Sequence, residues 1–185
     1  ANFVGAQVGR ELRNQGLTSM LLAIFLVMLY IVVRFDMRFA PGVFVKMFLD
    51  MILMLGFYVF FGATFDLVAV AAFLTVVGYS VNDTIVIYDR IRENMSLYPR
   101  RDLRENINFS LNETLSRTIN TSLTTMVSLL GIVILGTGSI FEFAVALIIG
   151  VISATFSSTF IASSFVYWWE DLRKIMSAKK INSKT

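Results

Sequence analysis

The stretch G-Y-S-V-N-D-T-I-V-I-Y-D-R-I-R-E-N, Gly78 to Asn94, decides how this 185-residue chain is read. It places Asn82 and Asp83 near the end of an apolar run that begins at Leu67, a run long enough to cross a hydrocarbon core of about 30 Å. An ionised carboxylate at that depth costs about 2.5 to 3.5 kcal/mol on insertion scales. Asp83 therefore has to face protein or water, and it has to have a partner.

Composition puts the run in a membrane. The chain is 56% hydrophobic and 16% charged, with a mean hydropathy of +0.72, outside the range of ordinary soluble domains. It divides into an extracytoplasmic lead-in (1–16) and transmembrane helices over 17–34, 43–64, 67–88, 114–137 and 140–168. The expected links are a cytoplasmic turn (35–42), an outer turn (65–66), a basic cytoplasmic loop (89–113), a second outer turn (138–139) and a cytoplasmic tail (169–185). The predicted fold class is all-α integral membrane, with five transmembrane helices.

Charge placement sets the expected orientation. Of 16 Lys and Arg, three lie between Arg34 and Lys46, five between Arg90 and Arg104, and five between Arg173 and Lys184; the links at Asp66 and Gly138 hold none. Short loops rich in Lys and Arg stay in the cytoplasm, so residue 1 is expected outside and the C-terminus inside, with Arg10 and Arg13 as an exception. The basic segments read as topogenic anchors, the alternative being contact with anionic lipid headgroups or a cytoplasmic partner. The opening A-N-F-V-G-A-Q-V-G-R-E-L-R has no initiator Met and no cleavable apolar core, which points to an upstream transmembrane helix that delivers residue 1 outside.

There is no cysteine and no histidine, which removes thiolate, disulfide and imidazole chemistry. No cofactor, metal-ligand set or nucleic-acid partner is expected. What remains is a set of polar residues at membrane depth. In the fourth run, Thr114, Arg117 or Thr118, Thr121, Thr124 or Thr125, and Ser128 recur at three- and four-residue spacing, which stacks them on one helical face. The third and fourth runs are antiparallel neighbours, so Arg117 comes to a depth similar to that of Asp83, with Asn82, Thr118 and Thr121 able to hydrogen-bond around the pair.

Two readings of that pair stay open. One is an interhelical clamp, worth typically about 0.6 kcal/mol in membranes. The other is a proton site, in which burial favours the neutral acid, a nearby guanidinium favours the carboxylate, and movement of Arg117 relative to Asp83 switches proton affinity. Asp50, one turn after Lys46, reads first as half of a solvated interfacial pair and alternatively as a second acid forming an inner proton entrance. Gly150, Ala154, Ser158 and Ala162 form a small-residue packing stripe, and Tyr167, Trp168 and Trp169 an interfacial belt. An intramembrane aspartyl protease is disfavoured, because neither Asp50 nor Asp83 stands in a Tyr-Asp or Gly-x-Gly-Asp context. A passive scaffold and a drug or lipid exporter are the remaining rivals, and the exporter would need large porter domains.

The Gly78–Asn94 stretch together with N-F-S-L-N-E-T-L-S-R-T-I-N-T-S-L-T-T resembles the SecF subunits of bacterial SecDF protein-export membrane complexes. The likeness runs from V-G-A-Q-V-G-R-E-L at Val4, through R-F-D-M-R-F-A at Arg34, to G-V-I-S-A-T-F-S-S-T-F-I-A-S ending at Ser163. It implies one half of a pseudo-symmetric twelve-helix membrane domain of the resistance-nodulation-division type, in the bacterial cytoplasmic (inner) membrane and with no enzyme activity. It implies a role in preprotein export driven by the proton-motive force. The implied partners are a SecD-like subunit, the Sec translocon channel, the translocating preprotein and membrane lipid. The family's proton-relay pair falls on Asp83 and Arg117. Departures are Ala6 in place of a frequent Pro, Leu49 in place of a frequent His before Asp50, and Ala154 in place of a frequent Gly.

Overall fold

The computed structural model describes residues 2–35, 39–62 and 65–182. Residue 1, residues 36–38 of the inner turn, 63–64 at the end of the second run and 183–185 of the tail lie outside the described residues. Every regular element among the described residues is helical: α1 Asn2–Arg34, α2 Ala40–Phe61, α3 Leu67–Leu97, α4 Leu103–Leu135, α5 Ser139–Phe156, and α6 Ser163–Asn182, the last two joined by a π-helical turn, Ser157–Ala162. Five spans are long and apolar enough to cross a membrane: Asn14–Arg34, Ala40–Phe61, Leu67–Leu97, Leu103–Leu135 and Ser139–Arg173.

Several helices outrun their apolar stretches. With 31 and 33 residues, α3 and α4 each extend to roughly 45–50 Å, so the segment 89–113 is a helical hairpin that turns over residues 98–102. Asp66 starts α3 by accepting from the Val68 and Ala69 amides at 2.9 and 3.0 Å, which satisfies two of the four orphan donors of that end. Pro41 and Gly42, which fall within the expected 35–42 turn, sit instead in the first turn of α2, where the missing proline N–H costs no hydrogen bond.

The α3–α4 hairpin is zipped by polar contacts. The Arg90 guanidinium forks onto Glu113, with Nε to Oε2 at 2.7 Å and Nη2 to Oε1 at 2.6 Å. Asn94 Nδ2 donates to Glu113 Oε2 at 2.7 Å and to Ser110 Oγ at 2.9 Å. Nearer the other end of the hairpin, the Tyr79 hydroxyl donates to Ser122 Oγ at 3.1 Å. These contacts fix the register of the two helices.

Two apolar clusters fill the bundle. One gathers Phe39, Val43, Ile87, Tyr88, Ile91 and Val166 near the α3–α4 turn; the other gathers Met54, Tyr58, Ala72, Phe73, Val76 and Leu147 toward the opposite end. Within these clusters α2, α3, α5 and the π turn come close, because their facing residues are small. A Cβ on Gly150 would overlap the Val76 side chain and crowd Met54, and one on Gly42 would meet Ala162 O at 3.2 Å and press on the Tyr88 hydroxyl. Gly150, Ala154, Ser158 and Ala162 are all buried, forming the surface along which α5 and its π turn lie against their neighbours. By contrast Leu21, Leu22, Phe25, Leu26 and Leu29 of α1 are exposed, an apolar face suited to acyl chains.

Gly150→Leu is expected to destabilise the bundle by about 1–3 kcal/mol through overpacking, read as a lower apparent unfolding midpoint in lipid nanodiscs. Gly131→Leu, at a position with nothing within 4 Å, serves as the neutral control.

Candidate functional site

A polar layer crosses the bundle between the two apolar clusters. Lys46 and Asp50 stand one turn apart on α2 and are both buried, with side chains 0% and 3% exposed and Nζ 3.2 Å from Oδ2. This corrects the expectation of a solvated interfacial pair. Its physical cause is the overshoot of α3, α4 and the α5–α6 rod, whose Tyr88, Ile91, Ile107 and Val166 join Phe35 and Phe39 to cover the start of α2 with apolar side chains.

Burying an ion pair is tolerated only when the remaining hydrogen-bond capacity is met, and here it is met by serines. The Lys46 ammonium also donates to the Ser80 carbonyl at 3.1 Å and to the Ser80 hydroxyl. Asp50 Oδ2 accepts from Ser80 Oγ at 2.6 Å, and Oδ1 accepts from Ser157 Oγ at 2.7 Å and Ser153 Oγ at 3.1 Å. The carboxylate thus has four donors, one each from α2, α3, α5 and the π turn.

Asp83 lies on α3, one turn beyond Ser80, and is 7% exposed. Its one hydrogen bond among the described residues comes from Ser158, Oγ to Oδ2 at 2.8 Å. Ser157 and Ser158 are consecutive at the start of the π turn, so a single distortion of the last rod serves Asp50 with one hydroxyl and Asp83 with the next. Ser158 Oγ also lies 3.1 Å from the Thr155 carbonyl, so its hydrogen has two acceptors within reach.

The other sequence-predicted residues are placed differently from one another. Arg117 is exposed, and it lines a groove with Val86, Asp89, Arg90, Glu93, Glu113 and Thr114. No ion pair joins it to Asp83 among the described residues. Interpolating between the Tyr79–Ser122 and Arg90–Glu113 contacts nevertheless brings Arg117 and Thr118 within about one turn of the depth of Asp83. Thr118 is buried and its Oγ1 has no hydrogen-bond partner among the described residues. Asn82 and Thr121 are exposed, and the Thr121 hydroxyl bonds to carbonyls of its own helix, those of Arg117 and Thr118, at 3.0 Å each.

Sequence reasoning missed Ser80, Ser153 and Ser157, and it read Ser158 as packing alone. The available signal was their spacing: Ser80 stands three residues before Asp83, and Ser153 and Ser157 stand four apart on the small-residue side of the last run.

The family described as "Protein export membrane protein SecD/SecF, C-terminal" matches residues 1–172. The chain belongs to the SecD/SecF family. Within that family it is similar to the protein translocase subunit SecF of Pseudomonas aeruginosa, 46% identical over 166 residues that make up 90% of this chain and 54% of that protein. It is similar also to the SecF of Rickettsia typhi, 43% identical over 183 residues, 99% of this chain and 57% of that protein. The chain therefore spans about half the length of these curated SecF relatives. Among solved structures, a crystal structure of SecDF in a super-membrane-facing form superimposes with a TM-score of 0.86 at 39% identity, over 93% of this chain and 23% of that one. SecDF from Thermus thermophilus, a translocon-associated membrane protein, superimposes with 0.84 at 37% identity, over 89% and 23%.

Ser157→Ala is expected to cost about 1.5–3 kcal/mol, the range for a lost hydrogen bond to a charged group, as a fall in thermal midpoint. Thr18→Ala, whose exposed hydroxyl bonds the Asn14 carbonyl of its own helix, should stay within about 0.5 kcal/mol.

Proposed function

We propose that this chain is part of the proton-carrying half of a SecDF-type complex in the bacterial inner membrane, where it couples the proton-motive force to preprotein export through the Sec translocon channel. The observation that carries this reading is Asp83: a buried carboxyl at membrane depth whose one hydroxyl partner suits both of its protonation states. As a carboxylate it accepts from Ser158. As a neutral acid it donates its proton to Ser158 Oγ, and the serine hydrogen turns to the Thr155 carbonyl, 3.1 Å away. The Asp83–Ser158 contact is kept in either state, so proton exchange does not cost the acid its serine partner.

Arg117 supplies the coupling to motion. It stays charged, and its approach to Asp83 favours the carboxylate while its withdrawal favours the neutral acid. Thr118, with its open hydroxyl, and the polar groups of Asn82 and Thr121 are proposed to hydrogen-bond around that approach. In this reading the arrangement with Arg117 in the groove of Asp89, Glu93 and Glu113 is the withdrawn one.

A polar face at membrane depth needs a cover, since lipid satisfies no hydrogen bond. Asn82, Ser116, Arg117, Asn120, Thr121, Thr124 and Ser128 are exposed on α3 and α4. A SecD-like subunit that completes a pseudo-symmetric twelve-helix domain suits that face, and the apolar side of α1 suits lipid. The charge distribution orients the lead-in outside and the α3–α4 turn and C-terminal tail in the cytoplasm.

The test is preprotein export by proteoliposomes holding the translocon and the assembled full-length complex, with and without a proton gradient. Asp83→Asn and Arg117→Met are expected to abolish the gradient-dependent part while leaving assembly intact. Export that continues at the native gradient-dependent rate in Asp83→Asn would make the pair an interhelical clamp and refute the proposal.

A further inference from the structure

Resting on the reading of Asp83 as a proton site, a further role falls to a residue which that mechanism leaves unused. The polar layer holds two carboxylates, Asp50 and Asp83, and one ammonium, Lys46, all buried. With every group ionised the layer carries one uncompensated negative charge. In a medium of low dielectric such a charge is costly, so the layer is balanced either by one proton on its acids or by an outside cation such as Arg117.

The hydrogen bonds distinguish the two acids. Asp50 has four donors, and one of them is the Lys46 ammonium, which has no lone pair to offer a protonated acid and no acceptor role to turn to. Asp83 has the one hydroxyl donor, Ser158, which reverses by rotation. We propose that Lys46 is a positioning residue: it holds Asp50 as a permanent carboxylate and so leaves Asp83 as the single acid of the layer that exchanges a proton. Asp50 is then a fixed counter-charge and not the entrance that its sequence context also allows.

The remaining charged and titratable groups on the surrounding elements lie elsewhere. Arg34 of α1 pairs with Asp89 at 3.6 Å, both about half exposed. Arg90 pairs with Glu93 and Glu113, and Arg117 is exposed on α4. Glu142 sits in the first turn of α5, about three turns before Ser153. Glu170 and Arg173 of α6 are 3.9 Å apart, beyond Val166. Tyr79 and Tyr88 donate to Ser122 and to the Ala162 carbonyl, and Tyr58 belongs to the opposite apolar cluster.

Infrared difference spectroscopy across a pH step tests this on the full-length protein assembled with its SecD-like partner in lipid nanodiscs. The native complex should show a core carboxyl band that Asp83→Asn removes. In the charge-balanced double variant Lys46→Met/Asp50→Asn that band should persist. Lys46→Met alone should add a second titrating carboxyl and shift the pH profile of gradient-driven export, and the double variant should bring that profile back. Loss of the band in the double variant, or a Lys46→Met spectrum with no added carboxyl, overturns the proposal. Should Lys46→Met fail to assemble, Lys46→Gln, which keeps a hydrogen-bond donor without the charge, carries the same expectation of an added titrating carboxyl, and its absence there overturns the proposal. Failure of the proton-site reading is separately visible, as gradient-driven export that survives Asp83→Asn.

Discussion

An ammonium group sealed inside a hydrocarbon-embedded bundle must find every one of its hydrogen-bond acceptors in the protein, and Lys46 finds them in Asp50 and Ser80. That requirement joins α2 to α3 at one level. Asp50 then recruits Ser153 and Ser157, which joins both helices to the last rod at the same level. Apolar packing between membrane helices is weakly directional, because lipid tails are as apolar as leucine. The polar layer thus specifies how the three rods are set in height and rotation, and the small residues at Gly42, Gly150, Ala154 and Ala162 let them close to that distance.

The same layer prepares the chemistry. Its fixed pair leaves Asp83 facing a single reversible donor, and the π turn delivers that donor beside the serine that serves Asp50. π-helical turns recur at functional sites because they place side chains that a regular helix would rotate away. Tyr88 accommodates the distortion: its buried hydroxyl donates to the Ala162 carbonyl at 3.0 Å while its ring packs on Phe39 with centroids 4.8 Å apart. Under the proposed function, proton exchange at Asp83 and movement of Arg117 are two ways of balancing one charge, which is the form a coupling between a gradient and a conformational change has to take.

Much of this was legible in the sequence, for physical reasons that differ by element. The five spans stood out because hydrocarbon thickness dictates their length and composition. Asp83 stood out because a carboxylate deep in such a span is expensive. Lys46 did not, because a basic residue near the start of an apolar run ordinarily snorkels to the interface; only the overshoot of α3 and α4 past the apolar limit, held by Arg90, Asn94 and Glu113, buries it. The serines were hidden for a related reason: at four-residue spacing a small polar side chain looks like a packing surface until a carboxylate faces it. Arg117 lies within about one turn of the depth of Asp83, but its side chain is exposed and lines the groove with Asp89, Glu93 and Glu113, a direction that helical spacing alone does not give.

The proposed coupling requires Asp83 to change its protonation state while Asp50 does not. Carbon-13 magnetic resonance of aspartate side-chain carboxyls reads both residues separately in the assembled complex in lipid, with assignments made from Asp83→Asn and from the Lys46→Met/Asp50→Asn double variant. Across a pH titration the Asp83 carboxyl carbon is predicted to move between the positions of an ionised and a neutral acid, with the Asp50 carbon remaining at that of a carboxylate throughout. An Asp83 resonance that stays fixed, or an Asp50 resonance that moves in its place, would contradict it.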